Sequence, residues 1–289
     1  MNSTLTHPSP AADAHATACL NCAAVLHDQF CARCGQPAST HRFTVGHLLH
    51  EVPHSIWHVD KGILFTLREM LLRPGPALRA YLSGQRRPYF APLSYLLLTA
   101  GISTFLLSVL HIMPFNLHDP NLTPQMQQVM MGVMAPILKY MAWLQVLALP
   151  LTGLLTWLAL RRAGINYAES VIINAFIIGT STVINLAFVP VMYAFSGTAQ
   201  VVWVTWFMVP VMLGYQAWVY AQLLLVTGLR AVGRHLRGVL VSAVNFGILL
   251  LIVVFAMVAM MLPRLREQAR QQPARTAQQA PLPVAPAAH

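Results

Sequence analysis

The sequence predicts an all-α membrane protein, with about five transmembrane helices preceded by a small four-cysteine zinc ribbon and interfacial amphipathic helices. Three observations carry that prediction. Of 289 residues, 56% are hydrophobic and only 9% charged, against roughly 25% charged in ordinary soluble domains. Charge cannot cover a globule of this size, and a mean hydropathy of +0.58 points to lipid as the solvent for much of the chain. The third observation is where the net charge of +10 sits: eight of the eighteen Lys and Arg lie between Arg33 and Arg87, just before the first apolar run. That placement suits an anionic lipid surface and the positive excess of cytosolic segments. Basic and aromatic residues do not interleave as in RNA-binding segments, so the expected partner is the lipid bilayer and not nucleic acid.

Residues 1–17 are polar and rich in Pro and Ala. They read as a disordered leader, without the basic start and apolar core of a cleavable signal. In residues 18–37, Cys19-Leu20-Asn21-Cys22 and Cys31-Ala32-Arg33-Cys34 form two CxxC turns separated by eight residues. Each turn presents two thiolates, and together they complete a tetrahedral shell for a structural Zn2+ at about 2.3 Å. The only apolar residues that could make a core are Val25, Leu26 and Phe30, so the segment depends on its metal for folding. All four cysteines of the chain are used here. Two disulfides would require an oxidising compartment. A redox pair would want a βαβ setting. An iron centre would use the same shell. A closed four-thiolate shell leaves no coordination position for catalysis, so its expected role is to hold shape and bind partners.

Residues 41–90 form a basic juxtamembrane region. His47, His50, His54 and His58 share one helical face, with His41 nearby, but Pro53 interrupts the stripe. Histidines at a polar or headgroup interface are expected there, rather than a second metal site. In residues 61–73, Ile63, Leu67, Met70 and Leu71 lie on one face, and Pro74-Gly75 ends the helix. A second short helix is expected from Pro76 to about Gly84, with Ala77, Leu78, Tyr81 and Leu82 apolar. Both read as interfacial, placing Arg68, Arg73, Arg79, Arg86 and Arg87 near lipid phosphates. The alternative is that this stretch packs as a small domain against the spans.

Taken in order, CLNC, CARCGQ, the histidine-bearing stretch, VDKGILFTL and LLRPGPALRAYLSGQRRPYFAPLSYLLL resemble an uncharacterised bacterial family of multi-span membrane proteins. That family is a domain of unknown function with an N-terminal four-cysteine ribbon. The resemblance covers residues 19–100; downstream it is little more than hydropathy. It implies an integral protein of the bacterial inner membrane, with Cys19, Cys22, Cys31 and Cys34 as ligands. It implies no activity or substrate.

A span needs about twenty apolar residues. Five are expected in residues 91–262, at about 92–112, 137–160, 171–195, 201–226 and 239–262. An aqueous loop carrying Pro114, Asn116, Asp119, Pro120 and Pro124 follows the first. Lys139 lies at the outer end of the second, and residues 196–200 form the hairpin inside the sixty uncharged positions from Ser170 to Leu229. With the N-terminus cytosolic, the inner segments carry thirteen basic residues, and the outer loops carry Lys139 alone. The tail from residue 263 to 289 reads as disordered. It sits awkwardly outside, with Arg264, Arg266, Arg270 and Arg275.

Ser170, Asn174, Ser181 and Asn185 share a face of the third span. Polar residues so placed usually hydrogen-bond across helices, and Gln145, Gln216, Gln222 and Asn245 suit the same role. No Asp, Glu, Lys or Arg falls at mid-depth, which argues against a proton-coupled carrier. No HExxH, GxSxG or P-loop motif and no paired carboxylates occur, so an enzyme is not expected. Two functions stay open: a scaffold that recruits a cytosolic protein partner through its ribbon, or a transporter or lipid-handling protein using the polar seam.

Overall fold

A computed structural model describes residues 18–46, 62–112, 116 and 123–278. The leader 1–17, the histidine stripe 47–58 and residues 279–289 lie outside the described residues. Among the described residues the main helices are α1 (Ile63–Leu72), α2 (Pro74–Leu82), α3 (Pro92–Val109), α4 (Pro124–Leu160), α5 (Tyr167–Leu186), α6 (Val189–Ala194), α7 (Gln200–Leu223) and α8 (Ala231–Gln278). Among the described residues the only β pairing is two isolated bridges, Ala18 with Val25 and Phe30 with Pro37. The chain is an all-α membrane protein. Among the described residues five helices are long and apolar enough to cross a bilayer, in the segments Pro92–Val109, Trp143–Ala163, Tyr167–Leu186, Gln200–Thr227 and Ala231–Arg264.

α5 is the centre of the bundle: 78% of its apolar window is buried, against 17% for α8 and 33–39% for the others. α3, α4 and α7 pack around it, and α8 lies against α4 and α7. The start of α5 is fixed locally. Asn166 accepts the Glu169 backbone N–H, and the Glu169 carboxylate accepts that of Asn166, closing a capping box. α7 and α8 meet through small residues, Ala217 and Ala221 facing Gly238, as close helix pairs in membranes do. A Cβ at Gly238 would run into the Ala217 carbonyl oxygen and lie 3.2 Å from the Ala221 nitrogen. Neither atom belongs to a flexible side chain. Gly238→Ala is therefore expected to lower stability by about 1–3 kcal/mol, read as a lower unfolding midpoint of the detergent-purified protein.

Four boundaries differ from the sequence expectation. α2 starts at Pro74, with proline in the first turn, and its apolar face is turned to the protein and not to lipid. Ala77, Leu78, Tyr81 and Leu82 are all buried in the main core with Phe176 and Tyr220. α4 begins at Pro124, not near Ile137: Thr123 caps it by accepting the Met126 N–H. Its first turns pack Val129, Val133 and Ile137 against Val253, Met257, Met260 and Met261 of α8. α5 stops at Leu186 and the short α6 follows, because Pro190 suits the first turn of a new helix. Finally, α8 runs through Pro263 to Gln278, where a disordered tail was expected. Residues 264–278 are mostly Arg, Gln, Ala and Glu, all strong helix formers.

α1 turns most of the expected face inward, Ile63 packing against the core and Leu67 half-buried, and departs from it at Leu71. Met70 points inward with Thr66 and Glu69, whereas Leu64, Phe65, Leu71 and Leu72 are exposed. At the opposite end of the bundle, Tyr140, Trp143, Tyr193, Trp203 and Trp206 are exposed, as in an aromatic belt at a membrane boundary. The four-cysteine head thus lies at one face of the bundle and the α4–α8 extension at the far face.

Candidate metal centre

Two copies of one turn build the site. In the first, Cys19 N–H donates to Ala24 O and Ala23 N–H to Cys19 O; in the second, Cys31 N–H donates to Gln36 O and Gly35 N–H to Cys31 O, each at 2.8 Å. Both turns close through a left-handed residue, Ala23 at φ 57° and Gly35 at φ 73°. That conformation is free for glycine and costs another residue about 1–2 kcal/mol. Ala23→Gly is accordingly expected to raise the ribbon's metal affinity. Gly35→Ala should lower it, the more so because a Cβ there would meet Arg87 Nε at 3.4 Å. Competition with a chromophoric chelator measures both.

The four Sγ atoms lie within 4.8 Å of one another, and the Cys19–Cys34 and Cys22–Cys31 pairs stand 3.5 Å apart. A tetrahedral ion with metal–sulfur bonds of about 2.3 Å would hold its sulfurs about 3.8 Å apart, so the cluster fits a metal ion. The four cysteines are free thiols, two of them buried. Without a cation they cannot all ionise together. The Ala24 N–H favours the Cys22 thiolate, but desolvation and the thiols of Cys31, Cys34 and Cys19 outweigh it and push Cys22 up to about 12. Burial opposes ionisation of Cys34, yet hydrogen bonds from Asn21, the Gln36 backbone, Cys19 and Cys22 bring it down to about 6. The backbone N–H groups of Cys34 and Arg33 lower Cys31 as well, against its burial. Part of the set can thus ionise unaided, but Cys22 resists, and a full set of thiolates needs a bound dication.

The head has almost no apolar interior, as expected: Val25 is 65% exposed and Phe30 59%. Holding this segment together falls to the four-cysteine cluster, with any ion it binds, and to contacts below it. Gln36, buried under the second turn, accepts the backbone N–H groups of Arg86 and Arg87 through Oε1 at 3.1 and 3.4 Å. Arg87 Nε donates to Cys34 O at 3.2 Å. Arg86 donates to His41 O at 2.6 Å, and its guanidinium lies 3.6 Å above the Phe43 ring. Arg42 then reaches the central span, gripping Glu169 in a two-point ion pair at 2.7 and 2.9 Å, while Asn166 Nδ2 donates to Phe43 O. The Glu169 carboxylate holds the Arg42 guanidinium above its ordinary pKa.

Protein contacts therefore engage four of the five arginines read as membrane-facing. Besides Arg86 and Arg87, Arg79 donates to Gln222 O, and Arg73 pairs with the buried Glu69. Arg68 is exposed among the apolar residues of α1. The ion pair from Arg42 to Glu169, 127 residues apart, had no sequence signal, although Asn166-x-x-Glu169 announces the capping box that supplies its anion.

The four seam residues separate into pairs. Ser170 Oγ donates to Asn166 O of its own helix. Asn174 joins a buried four-helix network: its Nδ2 donates to Thr156 Oγ1 at 3.0 Å and its Oδ1 accepts Tyr220 OH at 2.6 Å, while Asn245 Nδ2 donates to both Thr156 and Tyr220. Ser181 Oγ and Asn185 Oδ1 have no such partner.

Fold and site together define a multi-pass helical membrane protein carrying a four-cysteine cluster that could hold a metal ion. Residues 60–104 match the model of a family described as Protein of unknown function (DUF3667), which spans α1, α2, the arginine loop and most of α3. No curated protein matches the chain, and no solved structure matches it.

Proposed function

We propose that the protein is a non-enzymatic scaffold of the bacterial inner membrane. Its zinc-loaded ribbon, on the cytosolic face, docks a cytosolic protein partner. The observation that carries this reading is the contrast within the head. Its lower side is fastened to the bundle by Gln36, Arg86, Arg87 and Arg42, while Val25 and Phe30 point outward uncovered. A platform held rigid on one side and apolar on the other suits partner binding, since little ordering entropy remains to oppose association. The basic residues clustered on the head side support a cytosolic orientation. Zinc is the metal that four thiolates in a closed shell favour in a reducing compartment.

The test is metal analysis of the purified protein together with what co-purifies. One zinc per chain, with a partner protein lost on Val25→Asp/Phe30→Asp while zinc is retained, is the expected result. If the double variant keeps the partner, or deleting residues 1–40 leaves function intact, the scaffold reading fails. The other reading, transport along the third span, meets an obstacle in this conformation, because Ser170 and Asn174 are committed to protein partners and close the seam on the head side.

A further inference from the structure

Four buried side-chain oxygens within the bundle have no hydrogen-bond partner in the protein: Gln145 Oε1 on α4, Ser181 Oγ and Asn185 Oδ1 on α5, and Asn245 Oδ1 on α8. Ser181 and Asn245 are each only 6% exposed. A buried polar atom left unpaired costs about 1–3 kcal/mol, and most buried polar atoms in proteins have a partner, protein or water.

Register places the four along one line. α4 and α5 join at the Thr156–Asn174 pair and run in opposite directions. Gln145 lies eleven residues from Thr156, and Asn185 eleven residues from Asn174, both toward the far face. Eleven residues make three turns and a small remainder, so both keep the stripe of the central pair and reach the same depth, about 16 Å further out. Ser181, seven residues from Asn174, falls between. Asn245 marks the inner end, at the Thr156–Asn174–Tyr220 network.

The chemistry of this line is that of a neutral acceptor. Three of the four atoms are amide carbonyls and the fourth is a hydroxyl. The acidic residue of α5, Glu169, is at its head-side end and paired with Arg42. A cation would want its oxygens in one shell at about 2.0–2.6 Å, whereas these are strung out over about 16 Å. A file of hydroxyl donors meets such a string one atom at a time.

We propose that the far half of the α4–α5 seam binds a file of hydroxyl groups, from water or a small neutral polyol. It is entered from the far face and stopped by the Thr156–Asn174–Tyr220–Asn245 network. The site is independent of the metal head and would stand if the scaffold reading fell.

The test uses the full chain in lipid vesicles with its ribbon metal-loaded. Ser181→Cys, Asn185→Cys and Gln145→Cys are labelled with a small water-borne methanethiosulfonate, and peptide mass analysis separates the new thiol from the four of the ribbon. Thr180→Cys is the control: Thr180 is adjacent in sequence but turned toward Tyr95, whose hydroxyl it meets at 3.1 Å. Position 180 is fully buried against Tyr95, and a thiol shut away from water ionises and reacts slowly, so the three seam positions should label at least about tenfold faster than the control. If glycerol at high concentration slows the seam thiols but leaves the labelling rate of free cysteine unchanged, the occupant is a polyol. If glycerol has no effect, it is water. Labelling no faster than at position 180, in variants that keep their metal, overturns the proposal. The three positions lie on two helices, so a folding failure in one variant leaves the others to decide.

Discussion

Stripping the metal is expected to unfold residues 18–40 while leaving the spans helical. Structural zinc contributes about 10–16 kcal/mol to a small domain of this kind, and Val25 and Phe30, exposed even in the folded head, offer little to replace it. The first measurable consequence is proteolytic. Trypsin should cut after Arg33 in chelator-treated protein and spare it in the loaded form, with far-UV circular dichroism nearly unchanged. Cys34→Ser should reproduce this without chelator, because one thiolate ligand is lost. Acid should act in the same direction. The loaded site has shed protons that the empty site retains, so affinity falls as pH falls. Above pH 6 the proton of Cys22, pushed up to about 12, must leave for the metal to enter. Below that, Cys34, at about 6, also takes one up. Metal affinity should therefore drop by at least tenfold per pH unit above 6 and more steeply below it. A pH-independent affinity between 5 and 8 would mean that the thiolates are not the ligands.

Once the spans are outlined by apolar length and the ribbon by its own short spacing, what remained hidden in the sequence has a common physical cause. Both visible signals are local: twenty apolar residues in a row need no partner to be recognised, and neither do two CxxC turns. Contacts across many residues leave no such trace. Arg86 and Arg87 read as lipid-facing because a basic pair beside a span ordinarily is; nothing in YLSGQRRPYF says that Gln36 waits for their backbone N–H groups. Thr156 and Tyr220 escaped notice because both are at home in an apolar span, yet they complete the network around Asn174. The helical start of α4 was hidden by Pro124 and three glutamines, which look like loop until Thr123 is seen as a cap. In α8, a polar run of Arg, Gln, Ala and Glu suits disorder and helix equally well by composition, because the same residues are good helix formers.

Arg42→Ala is expected to be the most damaging single change outside the cysteines. Glu169 is 1% exposed at the head of the central span. Its two oxygens are held by Arg42 at 2.7 and 2.9 Å and by the Asn166 N–H at 2.8 Å. Removing Arg42 leaves a carboxylate buried with one backbone donor. Breaking a buried pair from one side costs about 3–5 kcal/mol, and the lower end applies because the arginine side chain is 40% exposed. Arg42→Lys should recover only part of that, since an ammonium cannot grip both oxygens at once. The informative variant is the double, Arg42→Ala with Glu169→Gln. Glutamine preserves the capping box but carries no charge to strand, so the double should unfold at a higher midpoint than Arg42→Ala alone. If adding Glu169→Gln makes the protein worse, the contribution of Arg42 lies in packing and in its bond to Gly164 O, not in neutralising the buried anion. A double that recovers stability while residues 18–40 remain sensitive to trypsin would show that the anion, once neutralised, no longer ties the metal head to the central span.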